Sequence, residues 1–167
     1  MIENILTILI KSKVRFLVVG GVAVNLHGFY RATGDIDIIL LLEDSNLKKF
    51  IKAVKALNLV PRIPVRLEDF ADAKTRNAWI KEKNMKAFTL YDVGFGNKYL
   101  DVVIDYNLDF NEVYKSRSVY RDGALKVPVL SLEDLVKMKR KAGRERDKID
   151  IKALKRIQKL KNEKKKS

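Results

Sequence analysis

The sequence has 167 residues, of which 47% are hydrophobic, and a formal net charge of +14 at neutral pH. For this length we expect one domain with a genuine hydrophobic core and no second substrate domain. With no cysteine and one histidine, the chain cannot form disulfides, thiolate metal sites or histidine-rich zinc sites. A bound metal would need oxygen ligands, which favours magnesium or manganese.

The positive charge is concentrated at the C-terminus. Residues 137–167 contain 15 Lys and Arg against four acidic residues, a net charge of +11, so the rest of the chain contributes only +3. Such a block attracts nucleic acid, an acidic protein or nucleotide phosphates, although a solvated helix face that ends in a lysine tail has the same composition. No apolar run is long enough to cross a membrane and no secretory signal is recognisable, so we expect a cytoplasmic protein.

The spacing of apolar residues predicts alternating helices and strands in the first part of the chain. The predicted elements are a helix over residues 2–10, a strand over 14–20, a short helix over 21–28, a strand over 34–42 and a helix capped by Asp44 or Ser45. Both strands are aliphatic or aromatic over most of their length, which indicates burial. Pro61 and Pro64 then mark a break.

The second part of the chain is predicted to continue the same alternation. Its elements are a helix over 74–83, a strand over 86–92, a turn at Gly94, Gly96 and Asn97, a strand over 98–105, a short helix over 109–115 and a hairpin around Asp122 and Gly123. Two helices complete the chain. Ser131 and Asp134 form a capping box for the first helix, Gly143 ends it, and Asp147 caps the second.

Two carboxylates open the second predicted strand beside a glycine pair. Asp35 and Asp37 share one face of that strand, about 7 Å apart along the backbone. Unpaired carboxylates so close together repel each other and are costly to desolvate, a cost that a divalent cation removes. Gly20 and Gly21 allow a sharp turn and a close approach to a bulky group, and the helix after them presents N–H groups that suit a phosphate.

A third acidic position lies within the strand over 98–105. Alternation places Asp101 and Asp105 on one face and Leu100 on the other. A carboxylate in the middle of an aliphatic strand needs a partner, and Asp101 has that position. Asp105 lies at the strand end, where a turn or capping role is expected, so it is the alternative to Asp101.

These residues carry a resemblance to the nucleotidyltransferase superfamily that includes DNA polymerase beta. The chain is most similar to stand-alone members, the minimal nucleotidyltransferase antitoxins and the abortive-infection nucleotidyltransferase toxins. The matching segments are Gly20-Gly21, His27-Gly28, Arg31-Ala32-Thr33-Gly34-Asp35-Ile36-Asp37, Ser131-Leu132-Glu133-Asp134-Leu135, Lys139 and Ala142-Gly143-Arg144 through Asp147. Gly34 replaces the usual larger residue before the first Asp, which leaves the carboxylates unchanged.

The resemblance implies an α+β fold, with a mixed β-sheet like the palm of polymerase beta, flanking helices and a C-terminal helical pair. It implies a nucleotidyltransferase core over residues 1–130 and a helical extension over 131–167 that packs on the core and ends in the basic tail. Two Mg²⁺ or Mn²⁺ ions would be held by Asp35, Asp37 and Asp101. The nucleotide-binding residues would be Gly20, Gly21, Arg31, Lys139 and Arg144.

The implied activity is metal-dependent transfer of a nucleoside monophosphate from a nucleoside triphosphate such as ATP to a hydroxyl acceptor. The motif leaves the acceptor open, as a hydroxyl on RNA, protein or a small molecule. The stand-alone members imply a toxin–antitoxin component, either an antitoxin that adenylylates a HEPN-type partner protein or a toxin that modifies the acceptor end of tRNA. The alternative is a catalytically inactive module of the same fold that binds nucleic acid or a partner protein. His27 is expected to pack against the sheet or cap the short helix, and Thr33 to support its loop.

Overall fold

The computed structural model describes residues 2–94 and 99–167, in which seven strands form one mixed sheet with the order β3-β4-β5-β2-β1-β7-β6. The strands are β1 (Phe16–Val19), β2 (Ile36–Leu40), β3 (Leu59–Pro61), β4 (Ala87–Asp92), β5 (Tyr99–Val103), β6 (Ser118–Asp122) and β7 (Leu125–Val129). The helices are α1 (Ile2–Lys11), α2 (Gly20–Leu26), α3 (Asp44–Ala56), α4 (Ala73–Lys83), α5 (Phe110–Lys115), α6 (Leu132–Ala142) and α7 (Glu145–Lys166), with a 3₁₀ turn at Leu67–Ala71. The predicted α+β fold with a mixed sheet is confirmed.

The middle of the sheet consists of β1 and β2 because these strands are almost wholly apolar. Every residue of β1 is buried, and every residue of β2 is buried except Asp37, which is partly exposed. Burial on both faces is what a continuous apolar strand requires. The one carboxylate in this pair of strands therefore interrupts a buried surface.

Strand pairing determines which residues meet at one end of the sheet. β1 runs antiparallel to β2 and places Val19 opposite Asp37, while β2 runs parallel to β5 and places Asp37 beside Asp101. Because α2 begins at Gly20, directly after β1, the glycine pair lies next to the same position. Gly20, Asp37 and Asp101 thus lie on three adjacent strands or their immediate extensions.

The two C-terminal helices are separated by a glycine, as predicted. Ser131 Oγ accepts a hydrogen bond from the amide of Asp134 at 3.1 Å, and Gly143 ends α6 in the left-handed conformation, with φ of +66°. The predicted N-cap of α7 is wrong, because Arg144 is the capping residue and Asp147 lies three positions later. Asp147 accepts a hydrogen bond from the Arg144 amide at 3.1 Å, the reciprocal contact of a capping box.

The start of α3 differs from the prediction. The helix begins at Asp44, after Glu43, and the Glu43 side chain makes no capping hydrogen bond. The predicted cap at Asp44 or Ser45 is therefore wrong. Asp44 instead lies in the first turn, where its negative charge interacts favourably with the helix dipole.

The sequence prediction also missed β3 and the 3₁₀ turn, which occupy the region of the predicted break. Pro61 is tolerated as the last residue of β3 because that strand is at the edge of the sheet. The predicted turn residues Gly96 and Asn97, and the predicted strand start at Lys98, lie outside the described residues.

The last part of α7 extends away from the core. Leu154 is its last buried side chain, and residues 159–167 are exposed. In the part of the chain that the structure describes, no helix is both long enough and apolar enough to cross a membrane.

Candidate active site

The three carboxylates named from the sequence line one cleft of about 770 Å³. Asp37 and Asp101 are neighbours in the parallel ladder of β2 and β5, and Asp35 lies just before β2. The cleft is also lined by Lys86, Asp105, Tyr106 and Asn107, and by Leu135, Met138 and Lys139 of α6. The fold therefore places Asp35, Asp37 and Asp101 on the wall of a single cavity.

The electrostatics of this wall show that the carboxylates affect one another. Burial, followed by the charges of Asp101 and Asp35, raises the pKa of Asp37 to about 6, against the opposing effect of Arg144 and Lys139. Burial also raises the pKa of Asp101, which a hydrogen bond from Thr89 partly offsets. Close, partly buried carboxylates carry mutual repulsion that a cation would remove.

Both glycines are required by close contacts. Gly20 has a φ of +64°, and a Cβ atom at this position would lie 2.0 Å from Oδ2 of Asp37. A Cβ atom on Gly21 would lie 2.6 Å from Thr33 Oγ1 and 3.1 Å from a guanidinium nitrogen of Arg31. Only glycine therefore allows Asp37 and the loop before β2 to approach the start of α2.

The donor chemistry of the cleft fits a hard divalent cation. Asp35 and Asp37 offer carboxylate oxygens that accept no hydrogen bond from residues 2–94 or 99–167, whereas Asp101 Oδ1 accepts one from Thr89 Oγ1 at 2.6 Å. Within those same ranges no group of three acidic or histidine side chains converges in a metal-binding arrangement. The ligand types suit Mg²⁺ or Mn²⁺, and Thr89 sets the orientation of Asp101.

Asp105 lies at a different place in the cleft. It is four residues beyond Asp101, about 13 Å along an extended chain, and forms an ion pair with Lys86. The position beside Asp37 therefore belongs to Asp101, which was the preferred choice from sequence.

Three basic residues on the same cleft, which we call the cation group, are Arg31, Lys139 and Arg144. Two aspartates of α7 hold them. The guanidinium of Arg31 donates two hydrogen bonds of 2.8 Å to Asp150. Lys139 Nζ lies 2.7 Å from Oδ2 of Asp150, which also accepts from Arg31, and 3.3 Å from Oδ1 of Asp147. Arg144 Nε donates to Asp147 at 2.8 Å.

These aspartates are among the most buried charges in the protein. The side chains of Asp147 and Asp150 are 1% and 0% exposed. Burial acts to raise the pKa of Asp150, but hydrogen bonds from Arg31 and Lys139 outweigh it and bring the pKa below its usual range. The pKa of Asp147 is lowered in the same way, since the Arg144 hydrogen bond and the charge of Lys139 exceed the effect of burial. Both aspartates therefore remain ionised at neutral pH.

His27 has a structural position. It is the C-cap residue of α2, is buried, and its Nε2 lies 2.8 Å from the carbonyl oxygen of Leu130. Burial lowers its pKa despite that hydrogen bond, so the ring is neutral at pH 7 and Nε2–H donates to the carbonyl. Thr33 packs closely against Gly21, in agreement with a supporting role in the loop.

Sequence reasoning missed two side chains that orient the others, Thr89 and Asp150. Thr89 is opposite Asp101 in the β4–β5 ladder, a long-range pairing that no local pattern reveals. Asp150 did leave a signal, because Asp147, Asp150, Leu154 and Ile157 follow helical spacing and thus share one face of α7. A charged residue on the buried stripe of a helix indicates a buried partner.

Solved structures with this fold include several nucleotidyltransferases. The chain matches the lincosamide antibiotic adenylyltransferase LnuA, solved with lincomycin bound, with a TM-score of 0.62 and 21% identity over 93% of this chain and 95% of that chain. It matches the TM1012 nucleotidyltransferase of Thermotoga maritima with a TM-score of 0.56 and 16% identity over 97% and 91% of the two chains. It matches ANT(2″)-Ia, in complex with adenylyl-2″-tobramycin, with a TM-score of 0.56 and 15% identity over 92% and 84%.

At these identities the structural likeness shows the fold alone. A search of curated proteins finds no significant match. Residues 1–166 match the model of the family described as nucleotidyltransferase of unknown function (DUF6036), and the chain belongs to that family. It is thus a nucleotidyltransferase, as its motifs predicted.

Proposed function

We propose that this nucleotidyltransferase moves a nucleoside monophosphate from a nucleoside triphosphate to a hydroxyl group of RNA, using divalent cations held by Asp35, Asp37 and Asp101. One observation carries the proposal. Asp37 has the glycine turn at Gly20 on one side and Asp101 on the other, all on the wall of one cleft.

The order of the strands supports a division of this cleft into two parts. β1 and β5 are on opposite sides of β2, so Gly20 and Asp101 are on opposite sides of Asp37. The cation group is assigned to the side of the cleft that contains Gly20 and Gly21, because Arg31 packs against Gly21 and shares Asp150 with Lys139. A triphosphate on the glycine side would meet positive charge, and the acceptor hydroxyl would approach from the side of Asp101.

The cation group would bind and orient the triphosphate. Arg144 has a 75% exposed side chain and Lys139 is 5% exposed, so these residues offer one exposed and one buried positive charge. Positioning and charge neutralisation provide most of the catalysis in phosphoryl transfer. When bound, Mg²⁺ or Mn²⁺ would lower the pKa of the attacking hydroxyl and neutralise the leaving pyrophosphate.

Direct transfer to the acceptor suits the side chains that are present. The chain has no cysteine, and its single histidine is buried in a hydrogen bond to a backbone carbonyl. Neither of the usual sulfur and imidazole nucleophiles is therefore available for a covalent intermediate. The hydroxyl of the acceptor would attack the α-phosphorus, and pyrophosphate would leave.

The choice of RNA as acceptor rests on charge. Residues 137–167 have a net charge of +11, and the exposed end of α7 contains five lysines. Lysine-rich surfaces bind nucleic acid phosphates by releasing counterions. A hydroxyl on a HEPN-type partner protein is the alternative acceptor, and resemblance to stand-alone toxins and antitoxins supports a place in a toxin–antitoxin pair.

The proposal is tested with nucleoside triphosphates labelled separately at the α- and γ-phosphates. Each is incubated with the protein, Mg²⁺ and either total tRNA or a cell extract, and label is measured in RNA, in protein and in small molecules. We expect α-label in RNA with release of pyrophosphate. Transfer of γ-label would identify a kinase, α-label in protein would overturn the choice of RNA, and no transfer of either label would identify an inactive module.

Two variants separate catalysis from loss of structure. Asp37→Asn removes the central carboxylate and should abolish labelling. Glu82→Gln removes an exposed carboxylate from α4 and should label RNA like the wild type. Equal labelling by both variants would remove Asp37 from the proposed site.

A further inference from the structure

A second cavity lies on the part of the sheet away from the candidate active site. It has a volume of about 490 Å³, and we call it the basic cleft, after its cationic residues Lys13, Arg15, Arg117, Arg121 and Lys126. It includes Phe16, the first residue of β1, whereas Gly20 follows the last residue of β1. The two sites are therefore about 13 Å apart along that strand.

The charges of the basic cleft have no carboxylate partner among the residues that the structure describes. In residues 2–94 and 99–167, none of its five cationic side chains forms an ion pair with a carboxylate, although ten ion pairs occur elsewhere in those residues. Its lining contains no acidic residue. The cleft is thus a region of concentrated positive potential.

Strand register increases this concentration. Arg121 on β6 is directly opposite Lys126 on β7. Like charges in directly opposite positions destabilise a strand pair, and this pair is in a hairpin at the edge of the sheet. A bound anion would convert this repulsion into attraction.

An aromatic ring holds two of the guanidinium groups. Arg117 Cζ lies 4.1 Å and Arg15 Cζ 4.7 Å from the centroid of the Tyr114 ring. Arg117 Nη1 also donates a hydrogen bond to the Tyr114 carbonyl oxygen at 2.7 Å. The contact with the ring restricts both guanidinium groups, and their remaining N–H groups can donate to phosphate oxygens. Unstacked RNA bases also stack on aromatic rings and on guanidinium planes.

We infer that the basic cleft is a binding site for the phosphodiester backbone of single-stranded RNA. Charges from the α1–β1 loop, the end of α5 and the β6–β7 hairpin converge on it, which matches a chain of phosphates better than a single anion. The inference names a second contact surface for the acceptor and rests on the proposed choice of RNA. Its test measures binding without any nucleoside triphosphate, so its failure is distinct from failure of transfer.

The test compares two triple variants of the full chain. Lys13→Gln, Arg121→Gln and Lys126→Gln remove three charges from the cleft and leave the stacked arginines in place. The matched control carries Lys48→Gln, Lys49→Gln and Lys52→Gln, which remove three exposed charges from α3. Binding of a fluorescent single-stranded RNA oligonucleotide is measured by anisotropy at several salt concentrations.

We expect the cleft variant to bind RNA at least about tenfold more weakly than the control at low salt and to show a salt slope smaller by about 2, because about 0.7 counterions are released per phosphate contact. Equal affinities and slopes for the two triple variants would overturn the inference. Displacement of the RNA by poly-glutamate as readily as by unlabelled RNA would also overturn it, since the cleft would then select only for charge.

Discussion

Asp150 is the residue on which the arrangement of the cation group depends most. Asp150→Asn would remove the negative charge that binds Arg31 through two 2.8 Å hydrogen bonds and Lys139 at 2.7 Å. The Arg31 and Lys139 side chains are only 17% and 5% exposed, so water cannot readily replace the carboxylate. Removing one partner of a buried ion pair costs about 3–5 kcal/mol. At about 2–4 °C per kcal/mol, the expected loss of Tm is about 6–20 °C.

The assay is urea unfolding of the wild type, Asp150→Asn and a matched variant, Glu145→Gln. Glu145 is on the same helix and pairs with Lys148, but the two side chains are 87% and 65% exposed. An exposed pair contributes at most about 1 kcal/mol, so this control should unfold close to the wild type. Equal unfolding free energies for the two variants would refute the role of Asp150 in holding the cation group.

The pH dependence of stability provides a second measurement on the same residue. The pKa of Asp150 in the folded chain lies below its usual value because its hydrogen bonds outweigh burial. The unfolded chain therefore binds the proton more tightly, and the stabilising contribution is complete above about pH 4 and lost as the pH falls through the folded pKa. As the pH falls from about 5 through the folded pKa of Asp150, the wild type should lose more unfolding free energy than Asp150→Asn. Parallel curves would contradict the ionised state assigned to Asp150.

Further predictions concern the two sides of Asp37 and the C-terminal lysines. Gly20→Ala should lower the free energy of unfolding by about 1–3 kcal/mol and the rate of nucleotide transfer by at least tenfold. The reason is that Gly20 has a φ of +64° and that the new Cβ atom would collide with Asp37. An unchanged Tm would refute this prediction. Asp37→Asn should lower kcat by at least about 100-fold in a folded protein, as expected when a charge that stabilises the transition state is lost, and unchanged turnover would exclude the carboxylate from catalysis. Asp101→Asn should reduce kcat far more than nucleotide affinity. If Asp105→Asn shows this effect and Asp101→Asn does not, Asp105 is the third carboxylate of the site. Deletion of 159–167 should weaken tRNA binding and flatten its salt dependence while nucleotide binding persists; an identical salt slope would exclude the tail.

The sequence was sufficient to predict the centre of the fold because the continuous apolar segments of the sequence are also the buried strands of the structure. The apolar strands β1 and β2, the glycine turn between strand and helix, and the hairpin at Asp122 and Gly123 all follow from short-range chemistry. The α+β class and the superfamily followed from the order of the glycines and carboxylates. The prediction failed for the segment around Pro61 because an edge strand of three residues is too short to show a periodicity.

The side chains that orient the site could not be predicted in the same way. Thr89 meets Asp101 only because β4 and β5 pair in one register, and Asp150 meets Arg31 across 119 positions of the chain. Both contacts are products of tertiary structure. The sequence places Arg31, Lys139 and Arg144 among its motifs, and the spacing of Asp147 and Asp150 on the buried face of α7 indicates buried partners, but it does not show that these partners are the three cations.

The most direct measurement of the central claim is the stoichiometry of transfer from α-labelled nucleoside triphosphate by wild-type protein and by Asp37→Asn, each with Mg²⁺ and with a chelator. The account predicts one pyrophosphate released for each labelled monophosphate attached by the wild type with Mg²⁺, and no attachment in the other three reactions. Undiminished attachment by folded Asp37→Asn, or by the wild type with chelator present, would contradict it.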